Sequence, residues 1–336
     1  MNVLRKLLLP IVPFYYVITW VRNKLYDIGV FTTVSYDFPV IAVGNLSVGG
    51  TGKSPMVEYL VGLLKDSFQV ATLSRGYKRK TSGFQLVTVN ATAEEVGDEP
   101  LQFKTKFEEV LVAVDADRRN GISSLRKMDP RPELILLDDA YQHRKVNAGF
   151  YILLTAYYDL YLDDIVLPTG NLREPISGVN RANMIVVTKC PKVLTIDEQQ
   201  IIERRMRLRP DQQLFFATIA YQHSIVSGEK SVLLEELKDT SFTLVTGIAN
   251  PAPLVAHYER MGLKFVHKKF PDHHNFTDKE IAALKQETLL VTTEKDYMRL
   301  KGSFEKGQLW YQPIQMELLG NKEHFEKEII NYAKKK

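Results

Sequence analysis

Val40-Ile41-Ala42-Val43-Gly44-Asn45-Leu46-Ser47-Val48-Gly49-Gly50-Thr51-Gly52-Lys53-Ser54, residues 40–54, decides how this chain folds. Its first four residues are apolar and mostly β-branched, which suits a short buried strand. A helix pattern follows, with Met56, Tyr59, Leu60, Leu63 and Leu64 on one face at three- and four-residue spacing. Between them, Ser47 to Ser54 matches the phosphate-loop pattern G-x-x-x-x-G-K-[ST], except that Ser47 takes the place of the first glycine. Gly49, Gly50 and Gly52 let backbone N–H groups turn inward around phosphate oxygens, and the helix points its N-terminus at the same place. Lys53 then reaches the β- and γ-phosphates, and the Ser54 hydroxyl binds Mg²⁺. Pro55 suits the first helical turn, where a missing N–H costs nothing. The nucleotide-binding segment is therefore Ser47, Val48, Gly49, Gly50, Thr51, Gly52, Lys53, Ser54 and Pro55. No G-x-G-x-x-G follows a strand elsewhere, so a dinucleotide site has no support.

Working outward, Val70 to Leu73 and Leu134 to Leu137 read as further buried strands. The second of these ends in Asp138-Asp139. Two adjacent carboxylates repel unless a cation sits beside them, and a phosphate loop needs an acid for its magnesium, so both are candidate metal ligands. Alternating strands and helices predict an α/β fold of phosphate-loop NTPase type: a mostly parallel sheet sandwiched by helices. Phe150 to Leu154, Met184 to Thr188, Leu214 to Ile219, Phe242 to Thr246 and Leu289 to Thr292 predict a second, smaller α/β/α domain. The capping box Thr277-Asp278-Lys279-Glu280 opens a helix over 278–287. The expected division is an N-terminal helical segment at 1–35, a phosphate-loop domain at 36–150 and a second domain at 151–300. The strand and helix at 301–336 are free to return to the first domain. The tail from Glu323, ending in three lysines, reads as a solvated helix.

The chain's 336 residues agree with two domains, at roughly 150 residues each. Hydrophobic residues at 45% and charged residues at 25% exclude a disordered or collagen-like chain. No repeat of solenoid period is present. The single cysteine, Cys190, excludes an intramolecular disulfide and reads as a packing residue. A net charge of +4 gives no nucleic-acid footprint.

Leu7 to Val21 carries no charge but is shorter than the roughly 20 residues needed to span a bilayer, and Pro10 and Pro13 interrupt it. Arg22-Asn23-Lys24 follows where a signal peptide would show a small-residue cleavage site. Phe14, Tyr15, Tyr16 and Trp20, flanked by Arg5, Lys6, Arg22 and Lys24, predict a membrane-interfacial helix. The alternative is a helix packed on the core.

Phosphoryl transfer also needs groups to align an acceptor and take its proton. Gly97-Asp98-Glu99-Pro100 places a carboxylate, that of Asp98, in a tight loop, and Pro271-Asp272-His273-His274 places two imidazoles in another. An aspartate and a histidine from such distant segments make a base and its orienting partner. Leu167 to Pro175 is a turn-rich loop whose Arg173 can stabilise transferring charge, and Thr293-Glu294-Lys295-Asp296 follows a strand, where ligand loops sit in α/β sheets.

Taken in order, VGNLSVGGTGKSP (43–55), SRGY (74–77), GDEP (97–100), LDDAYQHR (137–144), LPTGNLREP (167–175), GIANP (247–251), PDHH (271–274) and TEKD (293–296) resemble one family, the tetraacyldisaccharide 4'-kinases, or lipid A 4'-kinases, of Gram-negative bacteria. The resemblance spans most of the chain. It implies ATP with Mg²⁺ as donor and the 4'-hydroxyl of a membrane-embedded acylated glucosamine disaccharide 1-phosphate as acceptor. It implies Asp98 as base paired with His273, with Arg173 and Glu174 lining the reaction centre from the second domain. Lys53 and Ser54 hold phosphate and metal, with Asp138 and Asp139 near the magnesium. Arg75, Arg119, Gln142 and His143 are candidates for the acceptor sugar and its 1-phosphate. It further implies a peripheral enzyme on the cytoplasmic face of the inner membrane, a monomer by default. One departure is Ala140, where the family usually has glycine, which predicts an ordinary negative φ or mild strain there. Two rivals remain at this point: a phosphate-loop kinase or ATPase acting on a soluble small molecule, and a non-catalytic nucleotide-binding scaffold.

Overall fold

The computed structural model describes residues 3–305 and 307–335. Met1, Asn2 and Lys336, at the ends of the expected terminal segments, lie outside them. Among these residues fifteen strands form two sheets. The first eight are β1 (Val40–Asn45), β2 (Val70–Ser74), β3 (Gln85–Leu86), β4 (Leu111–Val114), β5 (Leu134–Asp138), β6 (Gly149–Ala156), β7 (Met184–Thr188) and β8 (Gln213–Tyr221). The next six are β9 (Ser224–Ser227), β10 (Lys230–Leu233), β11 (Phe242–Thr246), β12 (Phe265–Lys269), β13 (Leu290–Thr293) and β14 (Leu309–Gln312). The last is β15 (Ile314–Leu318). The helices are α1 (Val3–Lys6), α2 (Val12–Asp27), α3 (Lys53–Leu64), α4 (Ala93–Val96), α5 (Asp98–Lys106), α6 (Arg118–Leu125), α7 (Ile196–Met206), α8 (Ala252–Arg260), α9 (Asp278–Leu284), α10 (Glu294–Leu300) and α11 (Lys322–Ala333).

The larger sheet runs β15-β8-β7-β6-β1-β5-β2-β4-β3 and is parallel except for its two edge strands. β1 lies between β5 and β6, with Val40 opposite both Ile135 and Gly149, and all six of its residues are buried. A strand covered on both faces and paired on both edges tolerates only an apolar run, and that is what made it legible. The smaller sheet runs β10-β9-β14-β13-β11-β12, with four parallel strands and an antiparallel hairpin at one edge.

The division expected near residue 150 is not where the sheets part. β6, β7 and β8 extend the first sheet to Tyr221, and only β9 to β14 make the second. The apolar run at 150–154 reads as a fresh start, yet β1 needs a partner on its second edge and β6 supplies it. The chain then returns: β15 pairs antiparallel with β8, and α11 packs beneath the first sheet. The tail helix is therefore solvated on one side only. Phe325 and Ile329 are fully buried against α3, whose Met56, Leu60 and Leu64 are also fully buried. Each such side chain contributes about 1.5–3 kcal/mol relative to exposure. A buried polar cluster joins the two sheets: Lys106 donates to Glu58 (2.6 Å) and Glu294 (3.2 Å), and Gln102 donates to Glu58 (2.6 Å).

Among the described residues no helix is long and apolar enough to cross a membrane. α2 is docked without being buried. Leu7, Phe14 and Ile18 are 77%, 70% and 67% exposed, and Asn23 is the one buried residue of α2. The attachment is largely polar. Arg5 donates to Asn171 (2.8 Å) and to the Gly170 carbonyl (3.0 Å), Tyr15 to the Arg173 carbonyl (2.9 Å), and Arg22 to the Gln142 carbonyl (3.0 Å). Val12 and Tyr15 add apolar contact at one end. The helix is thus held mainly through polar groups and leaves apolar side chains facing outward.

Candidate active site

The carboxyl ends of the parallel strands carry the site, as crevices of open α/β sheets do. β1 leads into the loop Ser47 to Gly52, and α3 starts at Lys53. Gly52 caps the helix with φ +86°, a left-handed conformation that glycine adopts without steric cost. The loop is braced from two sides. Ser47 bridges to Leu172, and Val48 N–H donates to the Asn171 carbonyl (2.7 Å). At the end of β7, the Thr188 hydroxyl donates to the Thr51 carbonyl (2.7 Å), and the Lys189 ammonium donates to the Gly50 carbonyl.

Lys53 Nζ lies 3.6 Å from Asp139, which also accepts from Arg173 Nη1 at 3.0 and 3.2 Å. Burial pushes the Asp139 carboxyl up, but Lys53 and Arg173 outweigh it and hold it below its ordinary range. Asp139 itself takes the left-handed conformation (φ +45°), and Ala140 does not, so alanine at the family's glycine position carries no such strain. Asp138 is buried, accepts from Ser74 (3.2 Å) through one oxygen, and leaves the other without a partner. Burial, then Glu99 and Asp139 as like charges, push it up to about 7. Its free oxygen is thus a buried acceptor that nothing among the described residues satisfies.

Asp98 and Glu99 do not sit in a loop: they open α5, after Gly97 at φ +95°. Pro100 is compatible because it falls in the first turn. The helix start brings Glu99 to the phosphate loop, where Ser54 donates to it (2.8 Å) and Lys295 donates to it from α10 (2.5 Å). Burial pushes the Glu99 carboxyl up; Lys295 outweighs it and leaves it below its ordinary value. Asp98 faces the second sheet. His273 Nδ1 lies 3.2 Å from it, and Arg299 donates to it. Burial pushes Asp98 up too, but the His273 contact and the Arg299 charge hold it far below the usual carboxylate range. The three motifs of the second half therefore converge. GIANP follows β11, PDHH follows β12, and TEKD spans the end of β13 and the first turn of α10.

Other expected residues are placed differently. The loop carrying Arg173 and Glu174 joins β6 to β7, so it belongs to the first sheet and not to the second domain. Glu174 is buried and saturated: it accepts from Asn23, Gln142 (3.1 Å) and Arg181 (2.7 Å). It anchors α2 and the loop and does not face the cleft. Gln142 is likewise engaged, donating to the Asn45 carbonyl (2.8 Å) and to Glu174. Arg75 is exposed at the end of β2, and Arg119 is half-buried with its guanidinium on Asp117 (3.2 Å). Arg118 and not Arg119 is the inward residue, donating to the Asp115 (2.6 Å) and Asp138 (3.3 Å) carbonyls.

His143 is half-buried, and its Nε2 has no partner. Burial and then Arg118 lower it from 6.5 to about 4. The unfolded chain binds this proton more readily than the folded one, so His143 erodes stability as pH falls from 6.5 towards 4. The thermal midpoint of His143→Gln is expected to drop less than that of the parent between pH 7 and pH 5. Equal drops would show that His143 does not titrate this way.

Glu99, Lys189, Lys295 and Arg299 were absent from the sequence-based candidates. Glu99 and Lys295 lie inside quoted motifs. Arg299 had one signal, its place three residues after Asp296 on the same helix face.

A model of the tetraacyldisaccharide-1-P 4'-kinase family matches residues 4–334. The chain is 50% identical to the tetraacyldisaccharide 4'-kinase of Flavobacterium johnsoniae, covering 99% of this chain and 98% of that one. It is 41% identical to the enzyme of the same name from Bacteroides thetaiotaomicron, covering 98% and 94%. Its fold is similar to the crystal structure of LpxK from Aquifex aeolicus in complex with ATP, with a TM-score of 0.79 and 32% identity over 98% of this chain and 99% of that one. The chain belongs to the tetraacyldisaccharide-1-P 4'-kinase family.

Proposed function

We propose, from that membership, that this chain is an ATP-dependent lipid A precursor kinase. It phosphorylates the 4'-hydroxyl of a tetraacyl glucosamine disaccharide 1-phosphate. The observation that carries the reading is the meeting of the phosphate loop with a carboxylate–imidazole pair. Ser54 and Glu99 are 2.8 Å apart, and the next residue, Asp98, lies 3.2 Å from His273.

In this reading Lys53 binds the β- and γ-phosphates, and the N–H groups of the Ser47 to Ser54 segment cradle them. Asp98 accepts the proton of the 4'-hydroxyl. Held below the usual carboxylate range, it is fully ionised at neutral pH and ready to accept. Arg173, held on Asp139 beside Lys53, would stabilise charge on the transferring group. The residues fit Mg²⁺: Ser54 and Asp138 offer a hydroxyl and a free buried oxygen, and Asp139 adds a second carboxylate. Among the described residues no three acidic, histidine or cysteine side chains form a cage. A magnesium at a phosphate loop would be held by one or two carboxylates plus phosphate and water. When bound, Mg²⁺ neutralises charge building on the transferred phosphoryl group.

Arg75, exposed after β2, and Arg119, half-buried at the start of α6, would receive the anionic 1-phosphate, and His143 would adjoin the sugar. Gln142 and Glu174 support the site as scaffold. The enzyme works as a monomer, since one chain supplies both halves of the site. It lies on the cytoplasmic face of the inner membrane, where ATP and an acceptor with four acyl chains meet. Deleting residues 1–25 is expected to weaken sedimentation with anionic vesicles by about tenfold or more while leaving ATP binding nearly intact. Full sedimentation of the truncated chain would place the membrane contact elsewhere.

The direct test uses γ-labelled ATP, Mg²⁺ and a detergent-dispersed acylated disaccharide 1-phosphate. Label on the lipid at the 4' position is the expected result. Label only on soluble acceptors would replace the lipid reading.

A further inference from the structure

Arg299 is the common donor at the centre of the second sheet's contribution. Its side chain is 11% exposed. Nη2 donates to Asp98 Oδ2 and lies 2.8 Å from His273 Nδ1. Nη1 donates to Asp296 Oδ1 at 2.9 Å. Asp296 is fully buried, and its other oxygen accepts from the Gly247 N–H (2.8 Å) and the Thr293 hydroxyl (2.7 Å). The Gly247 carbonyl in turn accepts from the His273 N–H (3.0 Å), where the backbone is left-handed at φ +54°. The His273 main chain and the Arg299 side chain are thus fixed to the same turn.

A guanidinium only donates, so Arg299 meets Asp98 as a donor and holds it beside His273, whose Nδ1 is 2.8 Å from Nη2 and 3.2 Å from Asp98. A lysine cannot reproduce this, because holding Asp296, Asp98 and His273 together requires the planar fork.

We propose that Arg299 is a positioning residue for phosphoryl transfer, aligning Asp98 and His273 by bridging both to the buried Asp296. The proposal rests on the reading that Asp98 accepts the acceptor's proton.

The test measures kcat and KM for the full chain and for Arg299→Ala, Arg299→Lys, Asp98→Ala and the Asp98→Ala/Arg299→Ala double variant. Arg299→Ala should lower kcat by about 100-fold, as a misplaced reacting group does, with both KM values within about threefold. Added guanidinium ion should restore part of the loss, and Arg299→Lys should fall between alanine and the parent. In the Asp98→Ala background the second substitution should cost less than about threefold, because Arg299 acts through Asp98. A kcat for Arg299→Ala near the parent's, or a fully additive double variant, overturns the proposal. Should Arg299→Ala fail to fold, Arg299→Lys and its response to the Asp98 background decide in its place. If Asp98→Ala itself transfers normally, the base reading fails and takes this proposal with it. If Asp98→Ala is slow and Arg299→Ala is not, only the proposal fails.

Discussion

Lys53→Ala is expected to lower kcat by about 10²–10³-fold, the usual effect of deleting one preorganised charge that faces the transferring group. The basis is geometric. Lys53 is the first residue of α3, directly after the left-handed Gly52, so its backbone direction is fixed by the loop and not by substrate. Its ammonium is 3.6 Å from Asp139 and 11% exposed. In that site the charge works in a medium of low dielectric, where it counts for more than in water. The ammonium is also one of two cations holding Asp139. Its removal leaves Arg173 as the remaining partner, which ties Arg173 more firmly to Asp139 and withdraws it from the phosphoryl group. Lys53→Arg is expected to recover little, because a guanidinium is bulkier than the point charge this loop encloses. Steady-state rates with saturating ATP check this. A kcat within threefold of the parent's would remove the phosphate loop from the mechanism.

Asp98→Asn is expected to cost about 10²–10⁴-fold in kcat, the range for losing a general base, with ATP binding preserved. The amide keeps the carboxylate's shape, so the helix start at α5 and the contact with Arg299 survive. What is lost is the acceptor for the hydroxyl proton. Asp98 suits that task through its surroundings. It is 9% exposed, yet the His273 contact and the Arg299 charge hold it anionic against the upward push of burial. Transfer by Asp98→Asn at the parent rate, with label on the 4' position, would move the base elsewhere and leave the phosphate loop untouched.

The second sheet's role was the least legible part. PDHH and TEKD stood out as polar runs after apolar ones, but nothing in their spacing said that they face Asp98. That meeting depends on β12 and β13 lying on either side of β11, in one parallel sheet whose carboxyl ends meet the phosphate loop. Arg299 was missed for the same reason: an arginine on a short helix is ordinary until its three partners are in place. Glu174 was misplaced in the opposite sense. Its motif drew it into the reaction centre, whereas packing turned its carboxylate onto Asn23, Gln142 and Arg181.

By itself the sequence determined the strand–loop–helix at 40–64, the acid pair at the end of a buried strand, and an apolar N-terminal segment too short to span a bilayer. Each depends on neighbours within about ten residues, through side-chain periodicity, glycine freedom and backbone hydrogen bonding. The tertiary structure alone decided where the sheets part, that residues 314–333 return to the first sheet, that α2 keeps its apolar face outward, and which charged side chains meet. Those outcomes are set by contacts between residues far apart along the chain, such as Arg299 with Asp98 and β15 with β8. Local preference is silent there, and burial, charge pairing and strand order select the arrangement.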